Sequence, residues 1–526
     1  MGSFLFRQGG SAVLAALVLF TYLPTLSTAK ENGGLAQQIS AVVDAPEYKH
    51  ATWGIAIADA ATGESLYQLN ADKMFAPAST TKLFTVAAAL DALGADFRFT
   101  TPVYRTGDVG PNGRLNGDLV LRAMGDPNLS GRIDENGHLA YTNEDHTYAG
   151  FGDTATLTET DAIDGIEELA IKIAASGIRF ARDVLVDDRL FDHGTGSGSG
   201  PQTLTPVVVN DNVIDVLVTP GSRPGSAGYV ELRPQTAYAQ FDISIETSEP
   251  GGVTDVTVER VSARRYKVRG RIAAGHRPLL RIAEADDPTE FARTLLIERL
   301  RAHGVLIGNS IFTPMDRGDL PDVDRYPELS VVARHVSPPF SDAVRVILKV
   351  SHNLHASLLP LIMASHKGGR TGEEGLKLEG SFLRRAGVEP GSVSFGGGAG
   401  GTRADYVTPT ATLQLLSAMQ KRPDFAVYHD ALPILGVDGT LSEAVPPDSP
   451  ARGKVYAKTG TLVSYNPVGD DLLLASKALA GYMTAASGRK LLIAIYLNND
   501  VINTPADIAQ QGKNVGRLCE IIYSAL

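Results

Sequence analysis

Ser79 and Lys82 place a hydroxyl and an amine three residues apart at the start of a predicted helix. Pro77 precedes them, apolar residues recur behind them at helical spacing, and Gly94 is typical of a helix end. Residues three apart lie on one helix face, so both side chains would point the same way. A serine attacks only when a neighbouring base takes its proton, and a lysine is that base only when burial or nearby positive charge lowers its pKa.

The Ser79–Lys82 spacing alone is typical of an ordinary surface helix. Two later motifs favour a catalytic role for the pair. Ser351 to Asn353 follows one predicted helix and opens another, and Lys458 to Thr461 stands at the end of a predicted strand. Gly460 in the latter would let a substrate lie against the strand. Each motif is common by chance, but the three in this order and context form a specific signal.

The predicted secondary structure between about residues 100 and 331 differs from that of the rest of the chain. Short β-type runs are separated by turns there, at Gly113 to Leu121, Val213 to Val218, Tyr229 to Arg233 and Val253 to Val261. Two helices interrupt them, predicted at Ala162 to Ser176 and Thr289 to His303. The sequence therefore predicts an α/β (α+β) domain split into residues 30–99 and 332–526, with a β-rich insertion at 100–331 that could contain a nested subdomain near 219–275.

The flanking pieces carry the remaining elements. Residues 53–59 and 65–69 are predicted to form a hairpin, and the last strands and a C-terminal helix close the chain. The glycine run at 395–401 lacks a following G-K-[ST], so it indicates close backbone approach and not a phosphate cradle. Residues 464–477 form a long link after the third motif that could be a lip over a cleft.

Composition restricts the partners of the 526-residue chain. Its net charge of −11 provides no basic footprint for nucleic acid. Arg7, an apolar run and Ser27 to Ala29 are typical of a cleavable export signal at residues 1–29; a retained N-terminal anchor is the alternative. Beyond it, no apolar run is long enough to span a membrane. Cys519, the single cysteine, is predicted to lie in the core of the last helix.

The three motifs resemble those of the penicillin-recognising serine enzymes. The long insertion between the first two is similar to that of the low-molecular-mass class C penicillin-binding proteins, the D-alanyl-D-alanine carboxypeptidase/endopeptidase group. Family-type stretches extend over most of the chain, at 76–85, 125–129, 186–188, 436–441, 457–462 and 480–482. The resemblance implies a β-lactamase/transpeptidase-like fold and a serine D-Ala-D-Ala carboxypeptidase, with DD-endopeptidase activity as an extension.

The resemblance also implies a role for each site residue. Ser79 would be acylated, Lys82 would be its base, and Ser351 would relay a proton to the leaving D-alanine. Asn353 would hold the substrate amide, and the substrate carboxylate would bind at Lys458, Thr459, Gly460 and Thr461. The oxyanion hole would be the backbone N–H groups of Ser79 and Thr461. Asp187 matches a family aspartate that reaches the cleft. The partners implied are peptidoglycan stem peptides and β-lactam antibiotics, the location is periplasmic or secreted, and neither a cofactor nor a metal is implied.

Several positions depart from the family pattern. His352 stands where aspartate is common, Ala399 where serine is usual, and Ser357 where glutamate is common, so altered specificity or rate is expected. His352 and His355 could be metal ligands, but no third ligand stands at suitable spacing. Acidic residues around 134–145, namely Asp134, Glu135, Glu144 and Asp145, indicate a solvated loop and not a glycosidase pair.

Two other functions remain open on the sequence. A β-lactamase uses the same motifs, but no E-x-x-x-N loop stands between the second and third motifs, and the insertion argues against it. A wall-binding or penicillin-sensing protein without catalytic activity could keep the same fold.

Overall fold

A computed structural model describes residues 32–150 and 152–526. The predicted export signal at 1–29 lies outside these residues. None of the helices in the described ranges has the length and apolar character that a bilayer span requires.

The chain contains runs of strands and runs of helices. The helices are α1 Asn32–Val43, α2 Thr81–Leu93, α3 Asp164–Ala175, α4 Pro288–Ala302, α5 Phe340–Lys349, α6 Asn353–His366, α7 Gly372–Arg385, α8 Pro409–Met419, α9 Phe425–Asp430 and α10 Pro505–Ala525. The strands up to the middle of the chain are β1 Thr52–Asp59, β2 Ser65–Leu69, β3 Thr100–Arg105, β4 Leu119–Arg122, β5 Phe180–Ala181, β6 Val184–Asp187, β7 Gly194–Thr195, β8 Thr203–Leu204, β9 Val213–Thr219, β10 Tyr229–Arg233 and β11 Gln240–Ser248. The later strands are β12 Asp255–Ser262, β13 Arg265–Ala273, β14 Leu279–Glu284, β15 Leu306–Ile307, β16 Ser330–Val336, β17 Val393–Ser394, β18 Tyr406–Val407, β19 Val455–Asn466, β20 Asp471–Thr484, β21 Lys490–Asn498 and β22 Asp500–Ile502.

One antiparallel sheet joins the two ends of the chain. Its order is β19-β20-β21-β1-β2, with β22 added to β20. The predicted hairpin is confirmed, since Ile57 pairs with Tyr67, and β1 also pairs along its length with β21. The Ser79–Lys82 motif follows β2, and the third motif lies on β19. Both motifs are therefore attached to the same sheet.

Helices cover both faces of this sheet. On β21, Leu492, Ala494 and Tyr496 pack into one apolar cluster with residues of α2, α5, α6 and α8. Leu491, Ile493, Ile495 and Leu497 alternate with them and pack into another cluster with α1 and α10. A strand that is apolar on both faces is buried between two layers, so α2, which follows Ser79, lies in a helical layer on one side. Cys519 is fully buried among the α10 residues, as predicted.

The segment between the first two motifs builds its own sheets. The orders are β16-β3-β4-β6, β10-β9-β14 and β11-β13-β12, and α3 and α4 share one apolar core with them. The two predicted helices are confirmed as α3 and α4, and the strands predicted at 213–218, 229–233 and 253–261 as β9, β10 and β12.

One expectation about strands is wrong in part. The strand expected from Gly113 begins only at Leu119, because Gly113 has φ 76° and closes a turn on Gly110 instead. The long link expected at 464–477 is strand for most of its length, and its role as a lip stays a prediction. β19 and β20 continue as a hairpin in which Tyr465 pairs with Leu472, and β22 extends the pairing at Leu473.

Candidate active site

Ser79 lies in a turn that leads directly into α2. The turn is a 3-10 helix at Ala78–Thr80, and α2 follows from Thr81. Gly94 ends α2 with φ 86°, as its position predicts. The Nζ of Lys82 and the Ser79 hydroxyl are hydrogen-bonded at 2.9 Å. The nucleophile and base expected from the sequence are therefore in direct contact.

Lys82 is fully buried and is held by two more acceptors. Its Nζ donates to Asn353 Oδ1 at 2.7 Å and to the carbonyl oxygen of Ala399 at 2.8 Å. Burial, aided by the nearby ammonium of Lys458, holds the pKa of Lys82 well below its usual value. Because loss of water disfavours the charged form of an amine, Lys82 is poised to be the neutral amine that a base requires.

The glycine run at 395–401 brings its backbone to the same point. Gly400 has φ 89°, and a β-carbon there would lie 1.9 Å from the carbonyl oxygen of Ala78. Only glycine tolerates both conditions. The expected close backbone approach is thus confirmed, and it is the backbone oxygen of Ala399 and not its side chain that contacts Lys82.

The second motif forms the start of α6. Ser351 has a left-handed φ of 63°, and His352 accepts a hydrogen bond from the His355 N–H as the helix cap. Asn353, the first residue of α6, uses both ends of its amide, since Oδ1 accepts from Lys82 and Nδ2 donates to Ser199 Oγ at 2.8 Å. A left-handed serine is a strained conformation that surrounding contacts must hold, and Tyr148 supplies one by donating to the Ser351 carbonyl at 2.9 Å.

The third motif lies on β19, beside the Ser79 turn. A β-carbon at Gly460 would lie 2.5 Å from the Pro77 oxygen and 3.2 Å from the Ser79 nitrogen, so only glycine allows this approach. Lys458 is fully buried and donates to the Thr459 carbonyl oxygen at 2.9 Å. Burial lowers the pKa of Lys458 to about 7. The structure therefore brings Lys82, Asn353 and the third motif around Ser79.

Two residues that the sequence reasoning missed lie beside the threonines of this motif. The hydroxyl of Thr440 is 2.6 Å from that of Thr459. The Nζ of Lys477, on the neighbouring strand, donates to the Thr461 hydroxyl at 3.1 Å. Thr440 stands in a family-type stretch, which was a signal for it; Lys477 had none, because its pairing with Thr461 depends on strand register.

Asp187 is not brought to this group of residues. It ends β6, is buried, and accepts hydrogen bonds from Arg189 and from the Tyr326 hydroxyl at 2.6 Å. Ser199 contacts Asn353 instead, and a β-carbon at Gly198 would lie 2.6 Å from the Asn353 amide. A place for Asp187 in the cleft stays a prediction, and its carboxylate is paired with Arg189 and Tyr326.

A buried ionic cluster lies next to the second motif. Its members are all nearly inaccessible to solvent: Arg132, Asp145, His146, Asp211, Asp215, His352 and His355. Arg132 Nη2 lies 2.5 Å from Asp211, 2.7 Å from Asp145 and 2.9 Å from His352 Nε2. The expected solvated loop is thus wrong for Asp145, because a buried guanidinium pairs with it.

Asp211 is the centre of this cluster. It accepts from His355 Nε2 at 2.7 Å and from His146 Nε2 at 2.8 Å. Although burial opposes the charged form, Asp215 and Asp211 raise the pKa of His146 to about 10. Burial, together with His352, lowers the pKa of His355 to about 3. His146 is therefore a cation and His355 is neutral near pH 7.

An unusual turn presents Asp211. Asn210, Asp211 and Asn212 all have left-handed φ values, of 48°, 50° and 58°. Asparagine and aspartate tolerate this region better than other non-glycine residues. The sequence Asn-Asp-Asn was the available signal, and it was missed because nothing in the sequence connected it to the second motif.

The expectation that His352 and His355 have no third partner is also wrong, because Asp211 faces both. These three residues offer ligand atoms within 4.8 Å of one another. However, Arg132 Nη2 is hydrogen-bonded to Asp211 and to His352 Nε2. A guanidinium cation therefore already occupies atoms that a metal ion would need as ligands. The arrangement fits an ion-pair network and not a metal centre.

Comparison with known proteins finds a matching family and a similar fold. A sequence model of the D-Ala-D-Ala carboxypeptidase 3 (S13) family matches residues 35–517. A D-alanyl-D-alanine carboxypeptidase of Actinomadura sp. (strain R39) is 28% identical, over 98% of this chain and 91% of that protein. The D-alanyl-D-alanine carboxypeptidase DacB of Haemophilus influenzae is 26% identical, over 82% and 81%. The crystal structure of penicillin binding protein 4 (dacB) from Haemophilus influenzae has the same fold, with a TM-score of 0.66 at 22% identity over 92% of this chain and 98% of that one.

Proposed function

Since the chain belongs to the D-Ala-D-Ala carboxypeptidase 3 (S13) family, we propose that it cleaves the terminal D-Ala-D-Ala bond of peptidoglycan stem peptides through an acyl-enzyme on Ser79. It is a serine-type D-Ala-D-Ala carboxypeptidase of the low-molecular-mass class C penicillin-binding proteins. The observation that carries the proposed mechanism is the 2.9 Å contact between Lys82 Nζ and the Ser79 hydroxyl.

Acylation begins with proton transfer from Ser79 to Lys82. The low pKa of Lys82 favours its neutral amine. With its two N–H groups directed at Asn353 Oδ1 and the Ala399 oxygen, the lone pair can then face the Ser79 hydroxyl and accept its proton while Ser79 Oγ attacks the carbonyl carbon of the penultimate D-alanine. The negative oxygen of the tetrahedral intermediate would accept hydrogen bonds from the N–H groups of Ser79 and Thr461. The close packing of Gly460 on the Ser79 nitrogen supports this placement.

Collapse of the intermediate releases D-alanine. The leaving nitrogen needs a proton, which Lys82 would return through the Ser351 hydroxyl. Asn353 would hold the substrate amide with its Nδ2, which is supported by the fixed orientation of its Oδ1 on Lys82. Water then hydrolyses the ester on Ser79, with Lys82 again as the base.

The carboxylate of the substrate would bind at the third motif. The Lys458 ammonium and the hydroxyls of Thr459 and Thr461 supply one positive charge and two donors, which suits a carboxylate. β-Lactams carry a carboxylate next to a strained amide, so the same residues would accept them and Ser79 would be acylated. Cleavage of peptide cross-links, the DD-endopeptidase reaction, uses the same chemistry with a larger leaving group.

The proposed function implies a location outside the cytoplasm, and the sheets of the middle segment support a domain arrangement. An enzyme of the bacterial cell wall acts outside the cytoplasm, and we propose export by a cleavable signal at residues 1–29 to the periplasm or the medium. Residues 100–336 would be an insertion with its own core, which the separate sheets of that segment support. It extends beyond the residue 331 expected from the sequence, because β16 pairs with β3 as far as Val336. Residues 30–99 and those after Val336 would form the catalytic domain.

Two measurements test the proposal. A fluorescent penicillin should label the wild-type protein but not Ser79→Ala, and D-alanine should be released from a stem pentapeptide by the wild type alone. Labelling without release would favour a penicillin-sensing protein, and rapid loss of the label with penicillin hydrolysis would favour a β-lactamase. Labelling of Ser79→Ala would show that another residue is the nucleophile.

A further inference from the structure

Lys477 lies directly beside the third motif. Strands β19 and β20 pair so that Lys477 stands opposite Thr461, and its Nζ donates to the Thr461 hydroxyl at 3.1 Å. Thr461 is one of the hydroxyls proposed to hold the substrate carboxylate. Only the Thr461 side chain would therefore lie between the Lys477 ammonium and the bound carboxylate.

Lys477 has a positive charge without an acidic partner. No salt bridge in residues 32–150 and 152–526 involves it, although the chain carries an excess of acidic side chains. By contrast, the buried Lys349 is paired with Asp438 at 2.6 Å. Burial alone lowers the pKa of Lys477 to about 8, and no charged neighbour contributes, so most of its population is protonated at neutral pH.

The surroundings of Lys477 hold its side chain near the threonines. A β-carbon at Gly512 of α10 would lie 3.5 Å from Lys477 Nζ, so the helix passes close beside the ammonium. On the other side of Thr461, Thr459 meets the Thr440 hydroxyl at 2.6 Å. Three hydroxyls and the Lys477 ammonium thus lie together beside β19, which is the environment that an anion requires.

We propose that Lys477 is a second cation of the carboxylate subsite and that it selects substrates with a free C-terminal carboxylate. Lys458 contributes from within β19 and Lys477 from the neighbouring strand. This inference rests on the proposed function, because it assumes that the third motif binds the substrate carboxylate.

The test compares two peptides that differ only at the C-terminus. One stem pentapeptide ends in the free carboxylate of D-alanine and the other in its carboxamide. Lys477→Met removes the charge and keeps most of the apolar chain, whereas Lys477→Arg keeps the charge. Lys490→Met is the matched control, since Lys490 also donates to a threonine of its own sheet, Thr484 at 2.8 Å, but is exposed at the far end of β21.

We expect Lys477→Met to lower kcat/KM for the free acid about tenfold, mainly through KM. The variant removes the positive charge that attracts the substrate carboxylate to Thr461. The carboxamide should be affected less than about twofold, so the acid-to-amide preference should fall by about the same tenfold. Lys477→Arg and Lys490→Met should keep the preference. An equal loss on both peptides, or an unchanged preference, would overturn the role of Lys477.

A second pair of reagents separates this inference from the proposed function. If the wild type releases D-alanine from neither peptide, the carboxypeptidase proposal fails. Acylation of the same variants by benzylpenicillin and by its methyl ester, followed by mass spectrometry, then still tests Lys477. Lys477→Met should slow acylation by the acid and not by the ester, and equal rates for the wild type and the variant with the acid would refute the inference.

Discussion

Asp211 Oδ1 lies 2.7 Å from Nε2 of His355, which joins the turn at 210–212 to the helix that begins with Asn353. The turn belongs to the segment between the first two motifs, and Asn353 binds the proposed base Lys82. The segment is therefore connected to the active site through a buried charge. Through this contact, the segment between the first two motifs supports the second motif.

Removal of the Asp211 charge should damage both stability and acylation. Asp211→Asn leaves Arg132 and His146 buried with fewer counter-charges, which costs about 3 kcal/mol in the free energy of unfolding. Penicillin acylation should fall about tenfold, because Ser351 and Asn353 lose part of their support. Thermal or urea unfolding and the rate of fluorescent penicillin labelling measure the two effects.

The matched control for that variant is Asp242→Asn. Asp242 pairs with Arg269 in the same segment, but both side chains are exposed. Exposed ion pairs contribute about 1 kcal/mol or less, so this variant should resemble the wild type. Unchanged stability and acylation in Asp211→Asn would contradict the supporting role of the buried cluster.

Gly460→Ala should separate the third motif from the nucleophile. The added methyl group would lie 2.5 Å from the Pro77 carbonyl oxygen, so β19 or the Ser79 turn must move. A shift of about 1 Å in a reacting group can cost about 100-fold in rate, and penicillin acylation should fall by that order. Gly372→Ala, where a methyl group meets no atom within 4 Å, should acylate at the wild-type rate. A fully active Gly460→Ala would show that the strand does not constrain Ser79.

The sequence predicted the residues that react better than the residues that support them. Ser79 and Lys82 are local in the chain, so helical spacing alone placed them in contact. Asp211 meets His355 only through a turn of three left-handed residues, and Lys477 meets Thr461 only through the register of two strands. For Asp187, family likeness gave the residue type but not the arginine and the tyrosine that pair with it here. Long-range pairings of this kind depend on tertiary geometry, which residue patterns do not contain.

Ser199→Ala should weaken substrate binding more than turnover. Ser199 Oγ accepts from Asn353 Nδ2 at 2.8 Å and so fixes the amide that is proposed to hold the substrate. Loss of one neutral hydrogen bond costs about 1 kcal/mol, so KM for a stem pentapeptide should rise about fivefold while kcat changes little. Ser226→Ala, which alters a hydroxyl on an exposed loop, should leave both constants unchanged. An equal loss in kcat for Ser199→Ala would indicate that Ser199 acts in the chemical step.

The dependence of acylation on pH should reveal Lys458. Its pKa is lowered to about 7 by burial, so the free enzyme loses the ammonium as the pH rises through that value. The substrate carboxylate then meets a neutral amine, and kcat/KM for acylation by benzylpenicillin should fall above about pH 7, since this constant reports groups of the free enzyme. The methyl ester of the same penicillin does not need the ammonium, so its rate should not fall there. Because Lys477 has a pKa of about 8 and is proposed for the same subsite, the decline is assigned to Lys458 only if it persists in Lys477→Met. If kcat/KM declined equally for the acid and the ester above neutral pH, the titration would belong to another group. If kcat/KM for the acid stayed constant up to pH 9, Lys458 would have an ordinary lysine pKa.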